Sequence, residues 1–141
     1  MVIGRGYNYA TAHEWALKMK EMSYIVAEPY SSADFLHGPI AMVEAGFPVF
    51  MVATQGLVYP QLSALAKQLS EERRANLLII SDDEDLLSLS SARLLMPKEM
   101  PEWVSPLVNI LPGQLFVYYL TDLRGLSLDS PRGLSKVTKT V

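Results

Sequence analysis

Apolar residues along this chain recur in blocks whose period changes from that of a helix to that of a buried strand and back again. Between Asn8 and about Met22, at about 100° per residue, Ala12, Trp15, Ala16, Met19 and Met22 fall on one stripe. Glu14, Lys18 and Glu21 fall together on the opposite side. The pattern predicts an amphipathic helix with Asn8 as its cap, preceded by the end of a strand at Val2-Ile3 and a glycine turn at Gly4-Arg5-Gly6. Tyr24 to Ala27 is a short apolar run, read as a second strand. Ser31 opens a polar, helix-initiating segment, Gly38-Pro39 starts a further turn carrying Ile40, Met42 and Val43, and Gly46 stops it.

The run "FPVFMVAT" from Phe47 to Thr54 is continuously apolar, as in a strand buried on both faces. Gln55-Gly56 turns the chain into a helix over Pro60 to Arg73, whose stripe is Leu62, Leu65, Ala66 and Leu69. Leu77 to Ser81 and Ala92 to Met96 read as two more strands. Between them, Asp82-Asp83-Glu84-Asp85 suits the positive end of a helix dipole better than it suits a metal. A last helix is expected from Leu107 to Arg124, irregular at Pro112-Gly113. It is apolar around most of its circumference, so it should be buried in this domain or against a second one. Strands alternating with helices predict an α/β fold: a doubly wound, five-stranded parallel sheet of the flavodoxin-like type with helices on both faces. Ligands in such sheets bind beyond the carboxyl ends of the strands. That places the Gly4 turn, the Glu28-Pro29 junction and Thr54-Gln55-Gly56 near any site, and Glu14, Lys18 and Glu21 are expected at the same end with Trp15 and Met19 buried beneath them.

Composition narrows the chemistry. With 141 residues, half of them hydrophobic and 19% charged, the chain is one globular domain. A net charge of -3 offers no basic field, which argues against nucleic acid and anionic membrane as partners. The absence of cysteine removes thiolate and disulfide chemistry, and two histidines without clustered carboxylates make no metal site, so neither metal nor cofactor is expected. No apolar run reaches the ~18 residues of a membrane span and no signal-like N-terminus is present; a cytoplasmic location is expected. A first strand of three residues is short against the usual ~5 to 6, an expectation that sequence is missing upstream.

Taken alone, Glu14 and Lys18 are a surface pair at i and i+4 worth ~0.2 to 0.5 kcal/mol. His37 could simply cap its turn, Lys136 sits in a polar tail spanning 126–141, and Tyr7, Tyr9 and Trp15 read as packing residues. The stretch "GRGYNYATAHEWALKMKEMSYIVAEPYSSADFLHGPIAMV" changes this picture. Its anchors are Gly4-Arg5-Gly6, Glu14-x-x-x-Lys18-x-Lys20-Glu21, Ala27-Glu28 and His37-Gly38-Pro39, joined by Pro131-Arg132-Gly133-Leu134-Ser135-Lys136 in the tail. In order and spacing they resemble the second sugar isomerase (SIS) domain of the glucosamine-6-phosphate synthase family and its glutaminase-free relatives, over essentially the entire chain.

The resemblance implies that residues 1–141 form one SIS domain, the C-terminal half of a two-SIS-domain protein. It implies aldose-ketose isomerisation of a sugar phosphate of the fructose-6-phosphate or glucosamine-6-phosphate class, with ammonia release in the deaminase relatives. Glu21 is then the proton shuttle, Lys18 contacts the sugar and Glu14 supports it, while Gly4, Arg5 and Gly6 join the substrate-binding set. His37 takes part in ring opening and reaches a neighbouring subunit, and Lys136 lies over the sugar. The family holds the phosphate on a serine- and threonine-rich loop of its first SIS domain, and no such loop occurs in this chain. A homodimer or pairing with a first SIS domain is expected. Two alternatives stay open: the isomerase part of a glutamine-dependent synthase, and a phosphosugar-binding regulatory module without turnover. The wording of the tail is closer to the glutaminase-free relatives.

Overall fold

The computed structural model describes residues 1–130 and 132. Five parallel strands form one sheet in the order β2-β1-β3-β4-β5. They are β1 (Val2–Gly4), β2 (Pro29–Ser31), β3 (Pro48–Val52), β4 (Asn76–Ser81) and β5 (Ala92–Leu95). The central strands are apolar on both faces because both are covered. α1 (Asn8–Ser23) and α5 (Ser105–Leu123) cover one face, packing Ala12, Trp15, Ala16, Met19 and Val117 onto Val2, Val52 and Ile80. On the other face lie α2 (Ser32–Leu36), α3 (Tyr59–Glu71) and α4 (Glu84–Leu87), whose Phe35, Leu62, Leu65, Leu69 and Leu86 meet Ile3, Met51 and Ile79. This is the expected doubly wound sheet, with the strand order reversing between β1 and β3.

Three local expectations are corrected. The second strand is Pro29–Ser31 and not Tyr24 to Ala27. Tyr24 turns left-handed at φ 54° to close α1, and Ala27 with Ile25 then fills the space beneath the helix while Val26 points outward, 84% exposed. Asn8 caps nothing: the capping position is Tyr7, and the Asn8 side chain is buried. α5 continues unbroken through Pro112, and Gly113 lies against the indole of Trp15. By contrast, the acidic cluster does cap a helix, since Asp83 accepts the backbone N–H groups of Asp85 and Leu86 at the start of α4.

Asp83 also accepts a hydrogen bond from the Tyr59 hydroxyl, tying α3 to that cap. Burial, then this bond, pushes the Tyr59 phenol from an ordinary 10.0 up to about 12, and the same bond holds Asp83 below its ordinary 3.8. A raised phenol stabilises the fold fully below pH 10, and its contribution is lost as pH rises through about 12. A depressed carboxylate contributes above its unfolded value, and that contribution is lost as pH falls through the folded one. Thermal melting between neutral pH and pH 12 should therefore show an alkaline decline that Tyr59→Phe flattens. An unchanged decline in the variant would assign it to other groups.

Candidate functional site

α1 leaves the carboxyl end of β1 and runs back along the sheet toward the amino ends of the strands. Its close start depends on Gly4, where a Cβ would collide with the Asn8 carbonyl oxygen. Gly4 is buried, so its own part is to admit the first turn of the helix. The direction of α1 relocates the charged trio. Lys20, next to Glu21, reaches Glu28 at 4.0 Å, and the Glu28 carbonyl accepts the Val2 N–H at the amino ends of β1 and β2. Lys18 and Glu21 thus lie toward the amino end of the sheet and not the carboxyl end. The Glu28-Pro29 junction moves there too, because it precedes β2 instead of following it.

The trio itself is assembled as the helical spacing requires. Lys18 Nζ lies 2.7 Å from Glu21 Oε2 and 3.8 Å from Glu14 Oε1. The three side chains are half-buried, at 31% exposed for Lys18, 38% for Glu14 and 40% for Glu21, with Trp15 and Met19 fully packed beneath. The hydrogen bond to Glu21 is the main reason the Lys18 ammonium is raised above its ordinary range. Raised in this way, Lys18 stays a cation and hydrogen-bond donor at neutral pH. Beside them a groove of ≈ 560 Å³ runs between α1 and α5, lined by Lys18, Met22, Leu111, Gln114, Leu115 and Tyr118.

The other expected residues stand apart. Arg5 and Gly6 lie at the carboxyl edge, where Arg5 approaches the Ser32 hydroxyl at 3.5 Å and Gly6 is left-handed at φ 58°. His37 follows α2, whose Phe35 packs on the face of the sheet opposite α1. The imidazole is exposed and makes no hydrogen bond to the α1 trio among the described residues. Lys136 lies outside the described residues.

Beyond β3 and β4 the carboxyl edge is ill suited to a phosphate. A hollow of ≈ 610 Å³ there is lined by Asp82, Asp83, Glu84, Asp85 and Glu99, with Lys98 as its one cation, and Lys98 is already paired with Glu84 at 3.2 Å. At the β1/β3 reversal the Glu102 carboxylate accepts the Leu57 N–H at 3.2 Å and fills the space above Gly56. Below it is a buried polar network that periodicity did not disclose. Asn8 donates to Thr54 Oγ1 at 3.2 Å and Ser105 Oγ at 2.8 Å, and Asn109 donates to Asn8 Oδ1 at 3.0 Å. The one signal for it in the sequence is the polar and small series Ser105, Asn109, Gly113, Thr121 on an otherwise apolar helix.

The chain matches the SIS domain family model over residues 1–123. It is 41% identical to a glutamine--fructose-6-phosphate aminotransferase [isomerizing] of Thermococcus kodakarensis, over 95% of this chain and 22% of the relative. Among solved structures, the C-terminal domain of glucosamine-fructose-6-phosphate aminotransferase from Francisella tularensis superposes with a TM-score of 0.77 at 27% identity, covering 92% of this chain and 36% of that one. A glucosamine-6-phosphate deaminase from Thermotoga maritima gives 0.73 at 30% identity, over 96% and 38%. The chain thus spans about a fifth of the curated relative and under two-fifths of either solved chain.

Proposed function

The chain belongs to the SIS domain family, and we propose that it is the second SIS domain of a two-domain phosphosugar isomerase or deaminase acting on a ketose or amino-sugar 6-phosphate. The observation that carries the reading is the Glu14–Lys18–Glu21 array, half-exposed on a rigid helix anchored by Trp15. Isomerisation moves a proton between C1 and C2 of the open-chain sugar through an enediol. Glu21 accepts the proton from one carbon and returns it to the other, so no proton is consumed. Lys18 donates to the sugar oxygen on which negative charge develops, and its pairing with Glu21 keeps it protonated for that task. Glu14 orients Lys18 from the preceding turn. An amino-sugar substrate would exchange its nitrogen for a carbonyl oxygen from water and release ammonia.

Phosphate binding falls to the other SIS half, which agrees with the acid-lined hollow at this domain's carboxyl edge. His37 takes the ring-opening step in a neighbouring subunit, a reading supported by its exposure after α2, on the face of the sheet away from α1. Lys136, outside the described residues, is the tail residue that this reading assigns to the sugar. The full-length protein, incubated with fructose 6-phosphate or glucosamine 6-phosphate and followed by NMR of the anomeric protons, should interconvert ketose and aldose forms. Absence of turnover on every such phosphate, with binding retained, would favour a sensing module.

α5 supplies a second expectation. The face it turns inward is Ser105, Asn109, Gly113, Val117 and Thr121, whereas Leu107, Leu111, Leu115, Tyr119 and Leu123 point outward at 71%, 54%, 56%, 60% and 85% exposure. A helix with its leucines outside and its polar residues inside is built to meet another body. In the full-length protein that body is the first SIS domain; in the isolated chain a second copy takes its place. Sedimentation at micromolar concentration should give a dimer that Leu111→Lys and Leu115→Lys together convert to monomer. A wild-type monomer would remove this interface.

A further inference from the structure

α1 and α5 run side by side in the same direction, from the carboxyl edge, where Asn8 donates to Ser105 Oγ, to the level of Trp15, whose indole meets Gly113 and Phe116. This pairing fixes which residues of α5 stand level with the charged trio. Lys18 lies three residues beyond Trp15, about 4.5 Å further along the axis, while Gln114 and Tyr118 lie one and five residues beyond Gly113, about 1.5 and 7.5 Å. The two side chains therefore bracket Lys18. At about 100° per residue they leave α5 on one flank, beside the inward face of Gly113 and Val117, and this flank is the α5 wall of the groove that Lys18 lines. Toward the carboxyl edge, next to Glu14, the same wall is apolar, formed by Pro106, Leu107 and Ile110. Polar groups enter it only opposite Lys18, where the Gln114 amide and the Tyr118 phenol are exposed.

We propose that Gln114 and Tyr118 are specificity-determining residues that hold hydroxyls of the sugar's carbon chain next to the carbons that exchange a proton. A primary amide donates and accepts, and so does a phenol hydroxyl; each therefore matches a sugar hydroxyl, which does both as well. Lys18, held 2.7 Å from Glu21, takes the oxygen at C1 or C2. The polar groups beside it on α5 then fall at the C3 and C4 hydroxyls. At ≈ 560 Å³ the groove has the size of a small-molecule site, about 300 to 1000 Å³. Leu111 and Leu115 form its outer lip, on which the first SIS domain closes in the reading above, and excluding water there strengthens each polar contact within. This assignment rests on the isomerase reading, with Lys18 on the reacting oxygens.

Gln114→Met and Tyr118→Phe in the full-length protein decide it, since each keeps the shape and removes the polar group at an exposed position. The probes are the sugar phosphate that the protein turns over, fructose 6-phosphate or glucosamine 6-phosphate, and its 3-deoxy and 4-deoxy analogues, compared by kcat/KM. Wild type should prefer the parent sugar to each analogue by about tenfold, the worth of one hydrogen bond. Each variant should lose about tenfold on the parent sugar and almost nothing on the analogue that lacks its partner hydroxyl, so that the preference disappears. The ratio between substrates does not depend on how much of a variant is folded. Equal losses on all three substrates would assign the residue to the seam with the first SIS domain and overturn its role in specificity. Unchanged kcat/KM on all three would overturn it as well, and in both cases wild-type turnover leaves the isomerase reading standing. Each residue stands or falls by its own variant. A wild type inactive on both parent sugars would remove the isomerase reading and this assignment together.

Discussion

Glu21→Gln in the full-length protein is expected to lower saturating turnover by about 10²- to 10⁴-fold, the usual contribution of a positioned general base, with sugar-phosphate affinity nearly unchanged. The amide has the shape of the carboxylate but cannot take a proton from carbon, so the loss belongs to kcat. Lys18 loses the partner that raises its pKa, yet an ammonium freed from that pairing is still a cation at neutral pH. Folding is a weak confounder, because half-exposed ion pairs of this kind contribute about 0 to 1 kcal/mol. Glu14→Gln is the internal control: at 3.8 Å from Lys18 against 2.7 Å for Glu21, it should cost less turnover. Comparable rates in Glu21→Gln and wild type would move the base elsewhere.

Periodicity was sufficient for the helix faces and for the buried strands, because covering both sides of a parallel sheet leaves near-continuous apolar runs such as Phe47 to Thr54. It failed where one residue type satisfies two environments. The apolar run after α1 resembles a strand, but Ala27 and Ile25 bury themselves under the helix without pairing, and the strand proper follows at Pro29. That small displacement transferred the Glu28-Pro29 junction from one end of the sheet to the other. The same kind of error misplaced the charged trio. A wheel gives the face of a helix but not the height of each residue above the sheet, and the height follows only once α1 is known to descend from β1. Asn8 looked like a cap because asparagine favours that position. Its partners Ser105 and Asn109 lie 97 and 101 residues away, beyond the reach of any local rule. The outward leucines of α5 were legible as excess apolar surface, though not which residues would be turned in.

Trp15→Ala should destabilise the domain by about 3 to 5 kcal/mol, the largest effect of a single core truncation here. Trp15 is fully buried, one residue after Glu14 and three before Lys18, and it joins three elements. Its ring meets Phe50 of β3 edge-on at 5.2 Å and Phe116 of α5 at 5.9 Å, and Gly113 of α5 lies across its face. Truncation leaves a cavity at the crossing of α1 and α5 that two aromatic neighbours and the backbone of Gly113 cannot close by small shifts. The indole Nε1 has no hydrogen-bond partner among the described residues, so Trp15→Phe removes an unsatisfied donor along with part of the ring and should cost far less. Enlarging Gly113 attacks the same contact from the other side. A Cβ there would stand 3.1 Å from the indole, and a branched side chain, as in Gly113→Val, should cost about 1 to 3 kcal/mol by overpacking. Urea midpoints at unchanged slope would measure all three variants. A Trp15→Ala midpoint close to wild type would show that α1 is held by its strand contacts and not by this crossing. The charged face would then need another anchor to hold Glu21 and Lys18 in register with a substrate.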